Sequence, residues 1–485
     1  MINPIFYTQF LRFFNNQPNS DQILALQDIN DFVFGQNPYS VFILKGYAGT
    51  GKTSLVAAVV NALNDVNVKC MLLAPTGRAA KVLAGFAKHP AFTIHKVIYR
   101  QKNYKANPDF DLGFNTRRNV LFVVDEASMI SSNPDAQNMR ESLLEGLLSF
   151  VYGRGNGCRL MLIGDDAQLP PVGEDDSPAL KPEVISRFGL TVFEAQLNEV
   201  VRQNRLSGIL WNATNIRQVV AMREKAGMPV VRFDGFTDIV NIPGNDLLET
   251  ITTCYQNDGI DETIVVCRSN RLANIYNNGI RNQILWRENE LEAGDFVMVA
   301  KNNYYWTDKM NCQQRSQQET AQTRHDQQDE MDFVANGDIA VVKRVRNIRE
   351  LYGFKFADCI LEFPDYHDFE LEATVILDAL QSESPAISPQ QGEQLYNQVM
   401  EDYMDIPQQS ERLKKLRQDP YYNALQLKYA YAVTCHKAQG GQWMNVFVEQ
   451  GFVPEDTSPL EYSRWLYTAI TRATGKLYLV NWKNH

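Results

Sequence analysis

The sequence has few residues of the kinds that build metal centres or disulfide frameworks. Its 485 residues include 7 cysteines and 6 histidines, and no two cysteines form a Cys-x-x-Cys pair. Scattered cysteines argue against a zinc ribbon or a disulfide scaffold and favour a reducing compartment. No apolar run approaches the length of a membrane span, and the N-terminal residues lack the basic and apolar regions of a secretory signal. We therefore expect a soluble, cytoplasmic protein.

An excess of positive charge is also absent. The chain has 57 acidic and 47 basic residues, which gives a net charge of −10. This balance excludes a uniformly basic surface for nucleic acid but leaves room for a local basic channel. The length predicts about three or four domains of ordinary size.

The most informative stretch is Gly-Tyr-Ala-Gly-Thr-Gly-Lys-Thr at residues 46–53. It lies between an apolar run at 41–44 and a helical pattern from residue 54, which is the strand, glycine loop and helix of a phosphate-binding loop (P-loop). Backbone N–H groups of such a loop surround a triphosphate, Lys52 adds a positive charge, and the Thr53 hydroxyl ligates Mg²⁺. A glycine-rich turn that binds nothing is the alternative. The residues assigned to the nucleotide are Gly46, Ala48, Gly49, Thr50, Gly51, Lys52, Thr53 and Ser54.

Acidic and polar residues follow two further predicted strands. The apolar run 120–124 ends at Asp125, which is placed to hold Mg²⁺ through water, and at Glu126, which is placed to orient or deprotonate the attacking water. The run 160–163 leads to Gln168, a candidate sensor of the γ-phosphate. Each of these residues alone is typical of a solvated turn, and the P-loop upstream favours the catalytic interpretation.

Other candidates rest on side-chain chemistry alone. The amide of Gln22 matches the edge of an adenine. Arg202 is a candidate for stabilising charge on the transferring phosphoryl group, and Thr76 and Arg78 are candidates for holding a phosphate of a polymer. A surface glutamine, a surface arginine and a turn with a helix cap are the alternatives.

The succession of apolar, β-rich and polar segments along the chain predicts a division into two cores. A first core occupies residues 1–205 and carries a short insertion at about 97–119. A second core begins at 206–289, is interrupted at 290–420 by a β-rich insertion with an Asn336-Gly337 turn followed by polar helices, and resumes at 421–485. Within the last part, residues 428–433 predict one strand.

Seven motifs occur in a fixed order along the chain: GYAGTGKT, APTGRAA, VVDEASM, GDDAQLPPVG, NEVVRQ, YAVTCHKAQGGQW and LYTAITRA. Together they resemble the ordered motifs of superfamily 1 DNA helicases, and most of all those of the RecD/Dda group. The resemblance implies an α/β fold with two RecA-like P-loop NTPase domains, each with a parallel sheet, and an inserted small SH3-like β-barrel. It also implies ATP and Mg²⁺ as cofactors, and travel along single-stranded DNA, typically 5′ to 3′, with duplex unwinding in replication, repair or recombination.

The resemblance carries roles onto individual residues. Gln22 would read the adenine, and the insertion near 97–119 would be a pin that splits the duplex, with Phe110 and Phe114 as its apolar candidates. The implied catalytic residues are Lys52, Asp125, Glu126, Gln168, Arg202 and Arg472, the last supplied by the second core. The implied contacts to single-stranded DNA are Thr76, Arg78, Thr93, His95, Thr434 and His436. Gln442 departs from the family pattern, because an acidic residue is expected there.

Two other functions compete with a helicase that unwinds DNA. One is a nucleotide-switched module that clamps DNA or a partner, although the set of hydrolytic residues exceeds what a switch needs. The other is the motor subunit of a nuclease or repair complex, whose nuclease residues a partner would supply. The expected partners are single-stranded DNA and duplex junctions, with no membrane.

Overall fold

The computed structural model describes residues 2–101, 110–134, 141–200, 207–222, 227–307, 309–310 and 334–484. Within them, two parallel sheets and one closed barrel account for nearly all strands. We call the first sheet with its helices the first lobe, and the second sheet with its helices the second lobe. No helix in these ranges is long and apolar enough to cross a membrane.

The first lobe is built on a six-stranded parallel sheet with the order β3-β2-β6-β7-β1-β8. Its strands are β1 Ser40–Gly46, β2 Lys69–Ala74, β3 Ala91–Thr93, β6 Val120–Val124, β7 Arg159–Gly164 and β8 Thr191–Leu197. Alternate residues of β1 enter different cores, with Phe42 and Leu44 on one face and Val41 and Ile43 on the other. Because both faces are covered, its central residues 41–44 are all apolar, as expected for a buried parallel strand.

Helices cover both faces of this sheet. They are Pro4–Phe13, Ser20–Phe34, Lys52–Asp65, Gly77–Ala87, Ile94–Ile98, Leu143–Tyr152 and Pro182–Ser186. The helix Ser20–Phe34 starts with a capping box, in which the Asn19 side chain accepts from the Gln22 N–H and the Gln22 side chain accepts from the Asn19 N–H. A short antiparallel pair, β4 Tyr99–Gln101 and β5 Phe110–Leu112, projects from this lobe.

The second lobe contains a five-stranded parallel sheet with the order β16-β10-β17-β18-β9. Its strands are β9 Ile239–Ile242, β10 Thr263–Cys267, β16 Ala432–Thr434, β17 Trp443–Glu449 and β18 Ala473–Val480, and its helices are Gly208–Met222, Leu247–Asn257, Asn270–Gln283, Cys435–Ala438 and Pro459–Ile470. The helices Gly208–Met222 and Pro459–Ile470 share one apolar core with the sheet.

The closed barrel lies between β10 and β16 in the chain. It is formed by β11 Phe296–Val299, β12 Ile339–Leu351, β13 Phe354–Phe363, β14 Phe369–Ile376 and β15 Leu425–Tyr429, and the helices Asp378–Gln381, Pro389–Glu401 and Gln409–Arg417 accompany it. The expected α/β fold class, with two parallel sheets and an inserted barrel, is therefore confirmed.

The single strand predicted at 428–433 is wrong. The chain leaves the barrel at Tyr429, at the end of β15, and enters the second sheet at Ala432, at the start of β16. One continuous run of residues thus contributes strands to two different sheets. The tertiary pairing of the strands determines where the chain passes from one sheet to the other. The boundaries at 205, 289 and 420 stay predictions.

A buried ion pair joins the barrel to the second lobe. Arg281, on the helix Asn270–Gln283, donates from Nε and Nη2 to the two carboxylate oxygens of Asp295 at 3.0 and 2.9 Å. Arg281 is 4% exposed and Asp295 is not exposed at all. The Tyr431 hydroxyl donates a further hydrogen bond to Asp295 at 2.9 Å.

We expect Arg281→Met to destabilise the chain by about 3–5 kcal/mol, because Asp295 then keeps a buried charge without its cationic partner. Urea unfolding followed by circular dichroism measures the loss. The matched control is Lys343→Met, which removes a more exposed pair with Glu362 at 2.7 Å and should cost much less, because solvent screens the charges of an exposed pair. Equal losses in the two variants would contradict this assignment.

Candidate functional site

The candidate site lies at the carboxyl edge of the first sheet. Strands β6, β7 and β1 are neighbours there, and they are followed by Asp125, by Asp165 and by the P-loop. Because parallel strands end at one edge, these groups converge. The ammonium of Lys52 lies 3.8 Å from a carboxylate oxygen of Asp165.

The P-loop has the backbone that its glycines predict. Gly49 and Gly51 have φ of +76° and +80°, a conformation that side chains with a Cβ rarely adopt. A Cβ added to Gly46 would lie 2.7 Å from Cγ of Lys52. Lys52 donates to the carbonyls of Gly46 and Tyr47. The loop therefore forms a tight cradle directly before the helix Lys52–Asp65, which fits a bound polyphosphate.

Asp125 and Glu126 form the acidic part of the site. The Asp125 carboxylate accepts a hydrogen bond from the Glu126 N–H at 2.8 Å. Burial, reinforced by the charge of Glu126, raises the pKa of Asp125 to about 6, while Lys52 acts in the opposite direction. Glu126 has a φ of +52°. A non-glycine residue in this conformation is strained, and strain of this kind is concentrated at functional sites.

Gln168 lies in the turn after β7 and is 5% exposed. Within the described part of the chain, its side-chain oxygen is buried without a hydrogen-bond partner. The turn itself is held from the second lobe, since the Leu169 N–H donates to the Thr468 hydroxyl and the Gln439 amide donates to the Leu169 carbonyl, both at 2.8 Å. Burial of a hydrogen-bond acceptor without a donor costs free energy, so the unpaired Gln168 oxygen calls for a functional explanation.

Gln22 is a buried residue and lies against the P-loop. It is 3% exposed, its side-chain oxygen accepts from the Asn19 N–H at 3.0 Å, and its amide donates to the Thr50 carbonyl at 3.1 Å. The surface alternative is therefore wrong. Both ends of the amide are engaged by the chain itself, so reading of an adenine stays a prediction.

The helix Pro459–Ile470 of the second lobe contacts the P-loop directly. The Tyr467 hydroxyl donates to the Asp165 carboxylate at 2.6 Å and accepts from the Ala48 N–H at 2.8 Å. Nearby, Arg464 donates to the Asp176 carboxylate at 2.6 Å. The two lobes thus contact each other at the P-loop.

Arg472 follows the same helix but its guanidinium is bound inside the second lobe. The residue is 4% exposed, and its nitrogens donate to the Thr468 carbonyl at 3.0 Å, the Gly441 carbonyl at 3.3 Å and the Thr471 hydroxyl at 3.2 Å. A role beside the γ-phosphate stays a prediction that requires these bonds to be exchanged. Arg202 lies outside the described residues.

The hydroxyls of Thr76 and Thr93 cap helices. Thr76 accepts from the Ala79 N–H at 3.2 Å and Thr93 accepts from the Lys96 N–H at 3.3 Å. They follow β2 and β3, on the same edge of the sheet as the P-loop. Three strand spacings separate β2 from β1, which is about 14 Å. A polymer across β2 and β3 would therefore run beside the nucleotide site.

The other candidate DNA contacts come from both lobes. Arg78 donates to the Gln442 carbonyl at 3.0 Å and its guanidinium lies 4.1 Å from the ring centre of Trp443. The Gln442 side chain is exposed. These two contacts join the first lobe to the start of β17. Gln442, the residue that differs from the family pattern, therefore lies next to Arg78.

Thr434 and His436 lie at the end of β16 and in the short helix after it. Burial lowers the pKa of His436, and Glu461 acts against this shift. In the first lobe, the ring of His95 lies 5.6 Å from that of Tyr99. Contact between these residues and DNA stays a prediction.

The predicted pin corresponds in part to the β4–β5 pair. Residues 102–109 and the side chain of Phe110 lie outside the described part of the structure. Phe114 is 76% exposed, and the Arg154 guanidinium lies 4.6 Å from its ring centre.

Sequence reasoning missed three residues of this site. Asp165 follows a strand as Asp125 does, and that signal was available. The motif LYTAITRA contains Tyr467, but the pattern assigns no role to its hydroxyl. Arg217, on the helix Gly208–Met222, lies with its guanidinium 4.4 Å from the ring centre of Tyr47 in the P-loop, and no motif pointed to it.

The donor set fits a magnesium ion that is completed by phosphate and water. Thr53 and Asp125 offer a hydroxyl and a carboxylate, and Mg²⁺ at nucleotide sites typically takes one or two protein oxygens. Among the described residues there is no group of three or more His, Cys, Asp or Glu side chains that could hold a metal by themselves.

Comparison with known proteins identifies two family segments. Residues 33–226 match a model described as an AAA domain, and residues 429–480 match the UvrD-like helicase C-terminal domain. The ATP-dependent DNA helicase dda of Enterobacteria phage T4 is 26% identical over 266 residues, 53% of this chain and 56% of that protein. The ATP-dependent RecD2 DNA helicase of Deinococcus radiodurans is 31% identical over 135 residues, 28% of this chain and 16% of that protein.

Among solved structures, a Pif1 helicase from Bacteroides, in complex with ADP-AlF3 and single-stranded DNA, matches over 96% of this chain and 92% of its own length. The identity is 15% and the TM-score is 0.44. The ordered motifs and the two family segments agree in order and position along the chain. The resemblance to superfamily 1 DNA helicases of the RecD/Dda group is therefore confirmed.

Proposed function

We propose that this chain is an ATP-dependent DNA helicase, in which hydrolysis of ATP drives movement along single-stranded DNA and opening of duplex junctions. One observation supports this most strongly. The P-loop lies where the two lobes meet, and the second lobe hydrogen-bonds to both Ala48 and Asp165. A nucleotide bound at the P-loop would therefore affect how the lobes meet.

In the proposed reaction, the P-loop amides and Lys52 hold the phosphates, and Thr53 and Asp125 provide the oxygens for Mg²⁺. Bound Mg²⁺ supplies charge neutralisation at the phosphates. Glu126 accepts the proton of the attacking water, and the free oxygen of Gln168 orients that water. Phosphoryl transfer depends on positioned charge, so this arrangement needs no covalent intermediate.

Two arginines are proposed to stabilise the transition state. Arg202 would act from the first lobe. Arg472 would act from the second lobe, after its guanidinium leaves the Gly441 carbonyl. An arginine that reaches the phosphate only in one arrangement of the lobes makes the rate of hydrolysis depend on that arrangement.

The proposed path of DNA crosses β2 and β3 and the start of the helix Cys435–Ala438. Backbone N–H groups at the N-termini after Thr76 and Thr93 favour phosphate there, and Arg78 adds a positive charge. His95, Thr434 and His436 complete the proposed contacts. Hydroxyls, imidazoles and amides that hold phosphates and sugars give little sequence preference, which suits a motor that moves along any strand.

Finer points are proposed by analogy with the family. They are the 5′ to 3′ direction, a role in replication, repair or recombination, and strand separation at the pin near 97–119. We also propose the division of the chain at 205, 289 and 420.

A strand-displacement assay tests the proposed function. We expect the full chain with ATP and Mg²⁺ to open a duplex with a 5′ single-stranded tail faster than one with a 3′ tail.

Glu126→Gln should lower turnover and opening at least about 100-fold because the general base is lost, and Lys52→Ala should abolish both. The matched control is Lys45→Ala, which removes a side chain of β1 that pairs with Glu194 at 2.5 Å, outside the P-loop. ATP hydrolysis by Glu126→Gln at the parent rate would contradict the catalytic assignment, and hydrolysis without opening of either duplex would favour a switch.

Arg472→Ala should reduce ATP hydrolysis at least about 1,000-fold and leave the affinity for ADP within about twofold of the parent, because an arginine of this kind acts on the transition state. Radiometric phosphate release and calorimetric titration with ADP measure the two effects. Thermal unfolding of Arg472→Ala, compared with Lys476→Ala beyond the same helix, checks that the lost bonds to Gly441 and Thr468 have not unfolded the lobe. Loss of ADP binding in a folded variant would rule out the proposed role.

A further inference from the structure

An arginine of the second lobe lies against a side chain of the P-loop. Arg217 belongs to the helix Gly208–Met222, and its guanidinium lies 4.4 Å from the ring centre of Tyr47. A cation is attracted to the face of an aromatic ring at distances up to about 6 Å, so this contact is a cation–π interaction. The contact joins the two lobes at the loop that is proposed to hold the phosphates.

The first lobe holds both partners of this contact in place. Arg217 donates from Nη2 to the Asn198 carbonyl at 3.0 Å. The Asn198 N–H in turn donates to the Asp21 carboxylate at 2.8 Å. On the other side, the Gln196 amide donates to the Tyr47 hydroxyl at 3.0 Å. Because the ring and the carbonyl are each fixed by the first lobe, Arg217 attaches its helix to that lobe at two points.

The same helix covers the P-loop at a second place. A Cβ built on Gly49 would lie 2.9 Å from Cδ2 of Leu210. Leu210 and Arg217 are about two helical turns apart, so they lie on one face of the helix. Tyr47 and Ala48 of the P-loop also pack against the apolar core of the second lobe. The helix therefore contacts the loop through an apolar group and a cation together.

The helix Gly208–Met222 also packs against the helix that leads to Arg472. Ile216 of the first and Ile470 of the second are buried in one core. Arg472 lies just after the end of the second helix. Because protein interiors are close-packed, a shift of one helix moves the other. The position of Arg472 relative to the P-loop therefore depends on how firmly the helix Gly208–Met222 is attached to that loop.

We propose that Arg217 is a positioning residue, whose contact with Tyr47 keeps the second lobe over the P-loop in the arrangement from which Arg472 acts. This inference rests on the proposed function and adds a residue to it. Arg217 brings the helix that leads to Arg472 over the loop, and the Arg472 side chain then exchanges its bonds. Loss of Arg217 lowers the fraction of molecules in which Arg472 is correctly placed, and it leaves nucleotide binding unchanged.

Arg217→Met tests the proposal, because it removes the cation and keeps an unbranched side chain. We expect the turnover of ATP by the full chain with oligo-dT to fall about tenfold, which corresponds to loss of one cation–π contact and one hydrogen bond. Calorimetric titration should give a dissociation constant for ADP within about twofold of the parent. Damage to the P-loop would weaken ADP binding, so the two measurements together distinguish positioning from a merely structural role.

A double variant tests whether Arg217 acts through Arg472. In the Arg472→Ala background, Arg217→Met should lower the residual hydrolysis less than about twofold, because the residue that it positions is already absent. A tenfold loss in both backgrounds would overturn the proposal. Parent-like turnover in the single variant Arg217→Met would overturn it as well.

The matched control is Arg232→Met. The Arg232 guanidinium lies 5.4 Å from the ring centre of Trp211, on the same helix but away from the P-loop. Its loss should leave turnover and ADP affinity as in the parent. A tenfold fall in turnover of this control would assign the effect to the stability of the helix and overturn the proposal.

Arg217→Lys provides the test if Arg217→Met does not fold. It keeps a cation above the Tyr47 ring, so turnover should stay within about threefold of the parent. A tenfold or larger loss in a folded Arg217→Lys chain would overturn the proposal. Parent-like hydrolysis by Arg472→Ala, or no hydrolysis by the parent chain, would instead contradict the proposed function, so the two failures are distinct.

Discussion

A single backbone amide, the N–H of Ala48, lies where the requirements of the two lobes meet. The P-loop needs its amides to point inwards, which is why two glycines with positive φ, Gly49 and Gly51, follow this residue. The second lobe uses the same amide as an attachment point through Tyr467. The contact between the lobes therefore includes the loop that is proposed to hold the phosphates.

The arrangement of strands places the proposed nucleotide and DNA sites on one edge of the first sheet. In the first sheet, the strands that lead to the P-loop and to Asp165 are neighbours, and those that lead to Thr76 and Thr93 lie on the far side of β6. The two proposed sites thus lie about 14 Å apart. The second lobe contacts the P-loop through Tyr467 and contacts Arg78 through the carbonyl of Gln442. Movement of that lobe would therefore act on both proposed sites.

Much of this was available from the sequence because the signals are local. Apolar runs that lead to Gly46, Asp125 and Gly164 predict a parallel sheet, and they predict that the candidate site lies at the carboxyl edge of that sheet. The split at Tyr429 was not predictable, since apolar periodicity does not reveal which sheet a residue joins. Tyr467 and Arg217 were missed for the same reason: their roles arise from contacts across more than 150 residues of chain. The Thr76 hydroxyl caps a helix, which is the alternative that the sequence left open, and its contact with DNA stays a prediction.

The account depends on nucleotide changing the distance between the lobes. Two spin labels report this distance by pulsed electron paramagnetic resonance. One is attached at Lys88→Cys in the first lobe and the other at Asn257→Cys in the second lobe, both at exposed positions. Cys70 and Cys312 are replaced by serine. We expect the distance distribution to shift when a non-hydrolysable ATP analogue and Mg²⁺ are added, and to stay in place when Lys52→Ala is treated in the same way. An identical distribution with and without the analogue in the parent chain would contradict the account.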